Sequence, residues 1–447
     1  MNYLQLDIEK VIKGGSGLAH DAEGQVVMVA DVLPGEKIVA EPLRSRKNYI
    51  EARLIEVLQP SASRRLPGCA YNQTCGGCGL QHASYQEQVA IKNGILQELM
   101  LRGKVLEDNE IKNIFGPPLV SPRPIHYRQR LRLQVEEGQL GFFQQGSHKL
   151  VAVKQCLLAR EELNTVLEAF IQSEQLASLR ENSTAVEFVL NPASAKVIII
   201  LHFTRKPRPA DKKAAMNFCR RCQPVDFILF HAENQAAGPL LTEKEEINSI
   251  AEHKITLPLP AEVLGRPLNL AFEPGGFCQV NLEQNINCIE LMLNWAGDLA
   301  GKRVLDLFCG MGNFSIPLAL GAESVIGMDL QRSSIRSAVH NAAEAGLDNC
   351  RFEKEAAVKA AQKLISHQEK FDLILLDPPR AGCIELIPYL HQLGARQLIY
   401  ISCDPATLVR DLAELKKVGF NLDEARMVDM FPQTPHLESM VNLRKGA

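Results

Sequence analysis

The stretch Leu398-Ile-Tyr-Ile-Ser-Cys403-Asp-Pro-Ala-Thr407 ends a β-branched, aromatic strand on a cysteine and then turns into a helix. Asp404-Pro405 forces the turn, because the residue before proline is held out of the helical region, and Pro405 suits a first helical turn. A thiol at a strand tip, just ahead of a helix N-terminus, meets N–H groups and a dipole end that favour the thiolate. A cysteine taken alone is more often a small buried hydrophobe. At the carboxyl end of a strand, where α/β sheets gather their chemistry, Cys403 reads as a nucleophile. His436-Leu-Glu438 sets a glutamate ahead of the final strand. A strand-edge glutamate is usually solvated, but with Cys403 it completes a nucleophile and a base, the two groups needed to alkylate an unactivated ring carbon.

A second constellation precedes this one. Arg303-Val-Leu-Asp306-Leu-Phe308-Cys-Gly310-Met-Gly312-Asn313-Phe314 is an apolar strand running into a glycine-rich turn, and Asp329 ends the next strand. The glycines allow close backbone approach, and a carboxylate at the second strand's end can bind ribose hydroxyls. The full dinucleotide fingerprint is missing, and Asp306 before the turn is more typical of S-adenosylmethionine (SAM) sites. Phe371-Asp-Leu-Ile-Leu-Leu-Asp377-Pro-Pro-Arg380 ends a buried strand in a rigid turn. Arg380 stands where enzymes that methylate exocyclic amines carry an aromatic residue, which weakens that reading.

Cys69, Cys75 and Cys78 fall within ten residues of a glycine-containing loop, and Cys156 is the next cysteine along. Thiolates at this density want a soft metal, and spacing leaves zinc and an iron–sulfur cluster equally open. Cys219-Arg-Arg-Cys222 sits on an expected helix with no second pair nearby and reads as structural.

These groups need scaffolding that the rest of the chain supplies. With 447 residues, 46% of them hydrophobic, two or three domains with sizeable cores are expected. Residues 1–58 alternate like a small OB-like β-barrel. A mixed α+β unit spans 59–270, and strand–helix alternation over 271–447 predicts a doubly wound α/β sheet. Within the central unit, helices are expected over 84–102, 160–173 and 211–222. Alternation puts Arg128, Arg130 and Arg132 on one strand face beside Tyr127, a surface suited to RNA. A net charge of -3 leaves nucleic-acid contact to such local patches. No apolar run reaches membrane-spanning length and the start is no signal peptide, so a cytoplasmic protein is expected.

Taken together the motifs resemble the RNA uracil-C5 methyltransferases, in their bacterial 23S rRNA branch, over essentially the whole chain. The resemblance rests on Phe277-Cys-Gln279-Val-Asn281, the glycine loop, Leu376-Asp-Pro-Pro-Arg380, Ser402-Cys-Asp-Pro-Ala-Thr407, His436-Leu-Glu438 and the four cysteines. Ile8 to His20 with Val32 to Ile38 looks like a TRAM domain, an RNA-binding module. The resemblance implies a Rossmann-like catalytic domain, Cys403 as nucleophile, Glu438 as base, and a [4Fe–4S] cluster on Cys69, Cys75, Cys78 and Cys156. It puts SAM contacts on Gln279, Phe308, Asn313, Asp329 and Asp377, and implies action on RNA, 23S rRNA first; a monomer is expected. Three positions depart from the pattern: Asp404 replaces asparagine, Asp329 replaces glutamate, and Ala356 replaces a polar adenine contact for which Glu353 or Glu355 could stand in. The alternatives are tRNA uracil-C5 methylation, RNA cytosine-C5 methylation, with Cys383 near the place of its second cysteine, and a non-catalytic RNA-binding assembly factor.

Overall fold

The structure, a computed structural model, describes residues 3–232, 238–247 and 253–446. Leu4–Asp7, Lys10–Val11, Gly17–His20, Val26–Val29, Lys37–Ser45 and Ile50–Gln59 form one mostly antiparallel sheet. Their inward residues, Leu6, Ile8, Ala19, Val27, Val29, Ile38 and Ala40, make a core of their own. Lys13-Gly14-Gly15 forms the tip of the turn that joins the second of these strands to the third.

Helix Tyr85–Arg102 follows, opened by Ser84, whose hydroxyl accepts the Glu87 N–H at 3.3 Å. It is buried on two sides. Ile91 and Ile95 pack on Val11 and Leu33 of the N-terminal unit, while Leu96 and Met100 join the core of the C-terminal sheet. Lys92, fully buried, donates to Asp429 Oδ1 at 2.6 Å and to the Phe431 carbonyl at 2.9 Å. Gln88 exchanges two hydrogen bonds with Gln433, at 2.8 and 2.9 Å. The helix therefore clamps the segment that leads to Glu438.

The central sheet runs Glu246–Ile247, Leu240–Leu241, Val225–Ala232, Lys196–Phe203, Ser183–Asn191, Arg130–Glu136, Gln139–Phe143 and Leu150–Ala152. Here the expected arginine face is narrowed. The strand begins only at Arg130; Arg130 and Arg132 share its outer face and both pair with the buried Glu187 on the neighbouring strand, with Arg132 still 54% exposed. Arg130 also donates to the Gly276 carbonyl at 2.8 Å. Arg128, ahead of the strand, is half-buried, its Nε buried without a partner. Cys219 is buried, its thiol 3.5 Å from the Leu241 carbonyl.

The C-terminal sheet has the order Cys350–Lys354, Ser324–Asp329, Arg303–Leu307, Leu373–Leu376, Gln397–Ser402, Glu438–Lys445, Phe420–Val428. The first five are parallel; Glu438–Lys445 runs antiparallel to both neighbours. Successive residues feed opposite cores. Val304, Leu373, Leu375, Ile399 and Ile401 face one side, and Leu305, Ile374, Leu376, Leu398 and Tyr400 the other. Burial on both faces explains why these strands read as continuous apolar runs.

Candidate active site and cysteine site

Parallel strands deliver their ends to one edge, and the last strand brings its beginning to the same edge. Ser402 is in register with Ser439, so Glu438 lies across from Cys403. Asp377, one residue past its strand, stands within electrostatic reach of both. Glu438 is 7% exposed, and burial followed by the Asp377 charge pushes its carboxyl up to about 8. Burial also lifts Asp377 to about 7.

The Cys403 thiol is raised too, first by burial, then by Glu438 and Asp377; only Arg380 and a backbone hydrogen bond pull it down. The helix N-terminus was expected to favour the thiolate. Burial, backed by two carboxyl groups from other strands, outweighs it. Asp404 caps helix Pro405–Lys417, its Oδ1 accepting the N–H groups of Ala406 and Thr407 at 3.0 Å each. Its Oδ2 meets Lys13 Nζ at 2.6 Å. Cys383 is 7% exposed, its thiol pushed up to about 12 by burial beside Tyr400 and Asp411.

The glycine-rich turn lies next along the edge. Phe308 has φ +87°, a conformation a bulky residue adopts only when its surroundings impose it. Its N–H and that of Cys309 both donate to the Met328 carbonyl at 2.9 Å. Gly310 donates to Asp329 Oδ2 at 3.1 Å, and a side chain at Gly312 would put Cβ 2.9 Å from Ile316 Cγ1. Asn313 exchanges two amide hydrogen bonds, at 2.8 and 2.9 Å, with Asn285 of helix Leu282–Ala296. Asp306, 1% exposed, gives one oxygen to the Ser315 hydroxyl and keeps Oδ1 buried without a partner. Burial, then Asp377 and Asp329, lifts its carboxyl to about 7. Phe277, 65% exposed, and Gln279 stand on a separate segment, tied down where Gln129 donates to the Val280 carbonyl at 2.9 Å. Near Ala356, Glu355 bonds the Ala356 N–H, whereas Glu353 is engaged by Lys363 and Arg351.

A crowd of carboxyls with an orphaned oxygen suits a cationic ligand. The structure brings Cys403, Glu438, Asp377, Asp306, Asp329, Phe308 and Asn313 to that edge. Asn285 and Lys13 join them from distant segments, and neither carries a local motif by which sequence could have found it.

The four loop cysteines also assemble. Cys78 feels Cys75 and Cys156, and Cys69 lies close to Cys75 and Cys156. Burial raises Cys78 to about 11, opposed by Arg128. Arg128 lies 5.9 Å from the ring centroid of Phe431 and near His436, so it spans from the thiols to the segment before Glu438. Among the described residues, no three His, Cys, Asp or Glu side chains close in far enough to hold a single metal ion. Four soft donors with the Arg128 guanidinium at their flank gather there.

Residues 84–446 match the family model described as tRNA (uracil-5-)-methyltransferase. The chain is 34% identical over 453 residues to the 23S rRNA (uracil(1939)-C(5))-methyltransferase RlmD of Pseudomonas aeruginosa, covering 99% of this chain and 94% of that protein. It is also 34% identical to the protein of the same name from Shewanella denitrificans, over 98% of this chain and 95% of that one. Among solved structures, the Pyrococcus abyssi tRNA (uracil-54, C5)-methyltransferase in complex with S-adenosyl-L-homocysteine superimposes with a TM-score of 0.73, at 22% identity, covering 98% of this chain and all of that one. That likeness shows the shared fold. No described helix is long and apolar enough to cross a membrane.

Proposed function

We infer the reaction from one premise, that this chain belongs to the tRNA (uracil-5-)-methyltransferase family: it is an SAM-dependent enzyme that methylates C5 of uracil in RNA. We propose 23S rRNA as the substrate, following the names of its RlmD relatives. The observation that carries the assignment is the register that sets Glu438 opposite Cys403 at the cofactor edge of the sheet.

When bound, SAM supplies an electrophilic methyl group on a cationic sulfur. Gln279, Phe308, Asn313, Asp329 and Asp377 would hold it, with Asp306 beneath the loop. Cys403 gives up its thiol proton to solvent, Sγ bonds to C6 of the uracil, and the C5=C6 electrons move toward O4 as an enolate. C5 would then take up the methyl group as its bond to the sulfonium sulfur breaks, which leaves a neutral thioether. Glu438 removes the remaining C5 proton, and the S–C6 bond breaks as the double bond returns, restoring the thiolate. The chain must receive the base unstacked, since neither Sγ nor the carboxylate can reach C6 and C5 inside a helix.

The cytosine-C5 alternative asks for a second reactive cysteine. Cys383 is buried with a strongly raised thiol, which speaks against it. We assign Cys69, Cys75, Cys78 and Cys156 to a [4Fe–4S] cluster, supported by the ring of thiols and by Arg128 at their flank. Residues 1–58 serve as a TRAM-type RNA-binding unit, 59–270 as the cluster-bearing unit and 271–447 as the catalytic unit. We propose that it acts as a cytoplasmic monomer.

The test is a denaturing gel of the protein with SAM and RNA carrying 5-fluorouridine. Fluorine at C5 cannot leave as a proton does, so a covalent complex is expected. Its absence, with SAM bound, would return the chain to the class of non-catalytic RNA-binding factors. Mapping 5-methyluridine in RNA from a deletion strain then identifies the substrate.

A further inference from the structure

The turn at Lys13-Gly14-Gly15 reaches away from its own sheet to the catalytic edge. Lys13 Nζ lies 2.6 Å from Asp404 Oδ2, one residue past the nucleophile. Two residues on, a Cβ at Gly15 would stand 3.0 Å from Pro435, ahead of His436 and Glu438. The tip thus touches both segments that carry the assigned chemistry. Its base is fixed as well: Val11 and Leu33 pack on helix Tyr85–Arg102, and Lys10 bonds Glu98 at 2.6 Å.

Asp404 is held so that this contact reaches the backbone. Its Oδ1 is committed to two helical N–H groups, and its own N–H donates to Ser402 Oγ at 3.2 Å. With the carboxylate plane fixed, Oδ2 has one direction, and it points to Lys13. An asparagine would keep the cap but present an amide N–H to the ammonium. An ion pair this open, with the lysine side chain 45% exposed, adds little to stability. Its leverage is on where the Cys403 turn sits.

We propose that Lys13 is a positioning residue for the nucleophile, through which the N-terminal unit fixes the turn carrying Cys403. The proposal rests on the reaction assigned above. It makes the N-terminal unit part of the catalytic framework as well as a surface for RNA.

The test is single-turnover formation of the covalent complex with 5-fluorouridine RNA, at saturating RNA and SAM, alongside RNA affinity. The proteins are wild type, Lys13→Ala, Lys13→Arg, Asp404→Asn and the double variant Lys13→Ala/Asp404→Asn. We expect Lys13→Ala to slow the step about fivefold, an effect of the size one ion pair can carry, with RNA affinity within about twofold. Lys13→Arg restores the rate, and Lys13→Ala costs nothing more once Asp404→Asn is present. Equal losses of RNA affinity in both backgrounds with an unchanged rate would make Lys13 a phosphate contact and overturn the proposal. An unchanged rate and affinity would overturn it as well. If wild type forms no complex, the assigned reaction falls and takes this inference with it; a complex formed equally fast by wild type and Lys13→Ala sinks this inference alone.

Discussion

At the scale of single residues, the site is governed by proton placement. Cys403→Ala should reduce methyl transfer by more than about a thousandfold while leaving affinity for an SAM analogue within about twofold, since the thiol acts on the base. Equal loss of both would make Cys403 structural. Glu438→Gln should let addition and methylation proceed and stall proton removal, so a covalent complex with ordinary RNA accumulates on gels; rapid turnover without it would take Glu438 out of the base role. The ionised fraction of a carboxyl lifted to about 8 grows with pH. Single-turnover completion should therefore climb from pH 6 toward pH 8, and a flat profile would exclude Glu438 as the titrating base.

Elements hold these residues at their distances. The loop after strand Arg303–Leu307 tolerates no side chain at Gly312, where φ is +85° and Ile316 stands in the way. Gly312→Ala should cost about 1–2 kcal/mol of local strain and weaken binding of an SAM analogue about tenfold, readable by calorimetry. This element was legible in sequence, because an apolar run, a glycine turn and a carboxylate at the next strand's end are local signals. The place of Cys403 between a strand and a helix was legible for the same reason. The arginines were legible only in part. Alternation sets Arg130 and Arg132 on one face, as period two requires, but the strand starts after Arg128, and Glu187, which pairs with both, comes from the partner strand. The thiol's surroundings were misjudged because the helix beside Cys403 is local, whereas Glu438 and Asp377 arrive from other strands. Contacts such as Asn313 with Asn285 leave no trace in either segment's pattern.

For the whole molecule, the cysteine site and the cofactor edge belong to different units joined through Arg128 and helix Tyr85–Arg102. Cys75→Ser should give protein without the absorbance near about 400 nm expected of a cluster, with affinity for an SAM analogue intact and RNA binding or solubility impaired. Stoichiometric zinc without iron in the parent protein would overturn the cluster assignment. Stability should follow three carboxyls: Asp306 and Asp377 near 7 and Glu438 near 8. Each keeps in the folded state a proton that the unfolded chain releases in the ordinary carboxyl range. Their contribution is full below that range and lost as pH rises to about 8, so the ligand-free melting temperature should fall between pH 5 and 8. Asp306→Asn should flatten that fall; an unchanged slope would show that Asp306 does not hold its proton. The buried pair of Lys92 and Asp429 bears on how the chain is made. The two residues are 337 positions apart, and at about 5–20 residues per second a ribosome needs roughly 20–70 s to supply the second after the first. For that interval the helix carries an ammonium that has no partner and whose burial alone is costly, so the face with Leu96 and Met100, which meets the C-terminal sheet, stays open. Closure of the catalytic edge is then an event at the end of synthesis, and a nascent chain halted before Asp429 has not yet closed it.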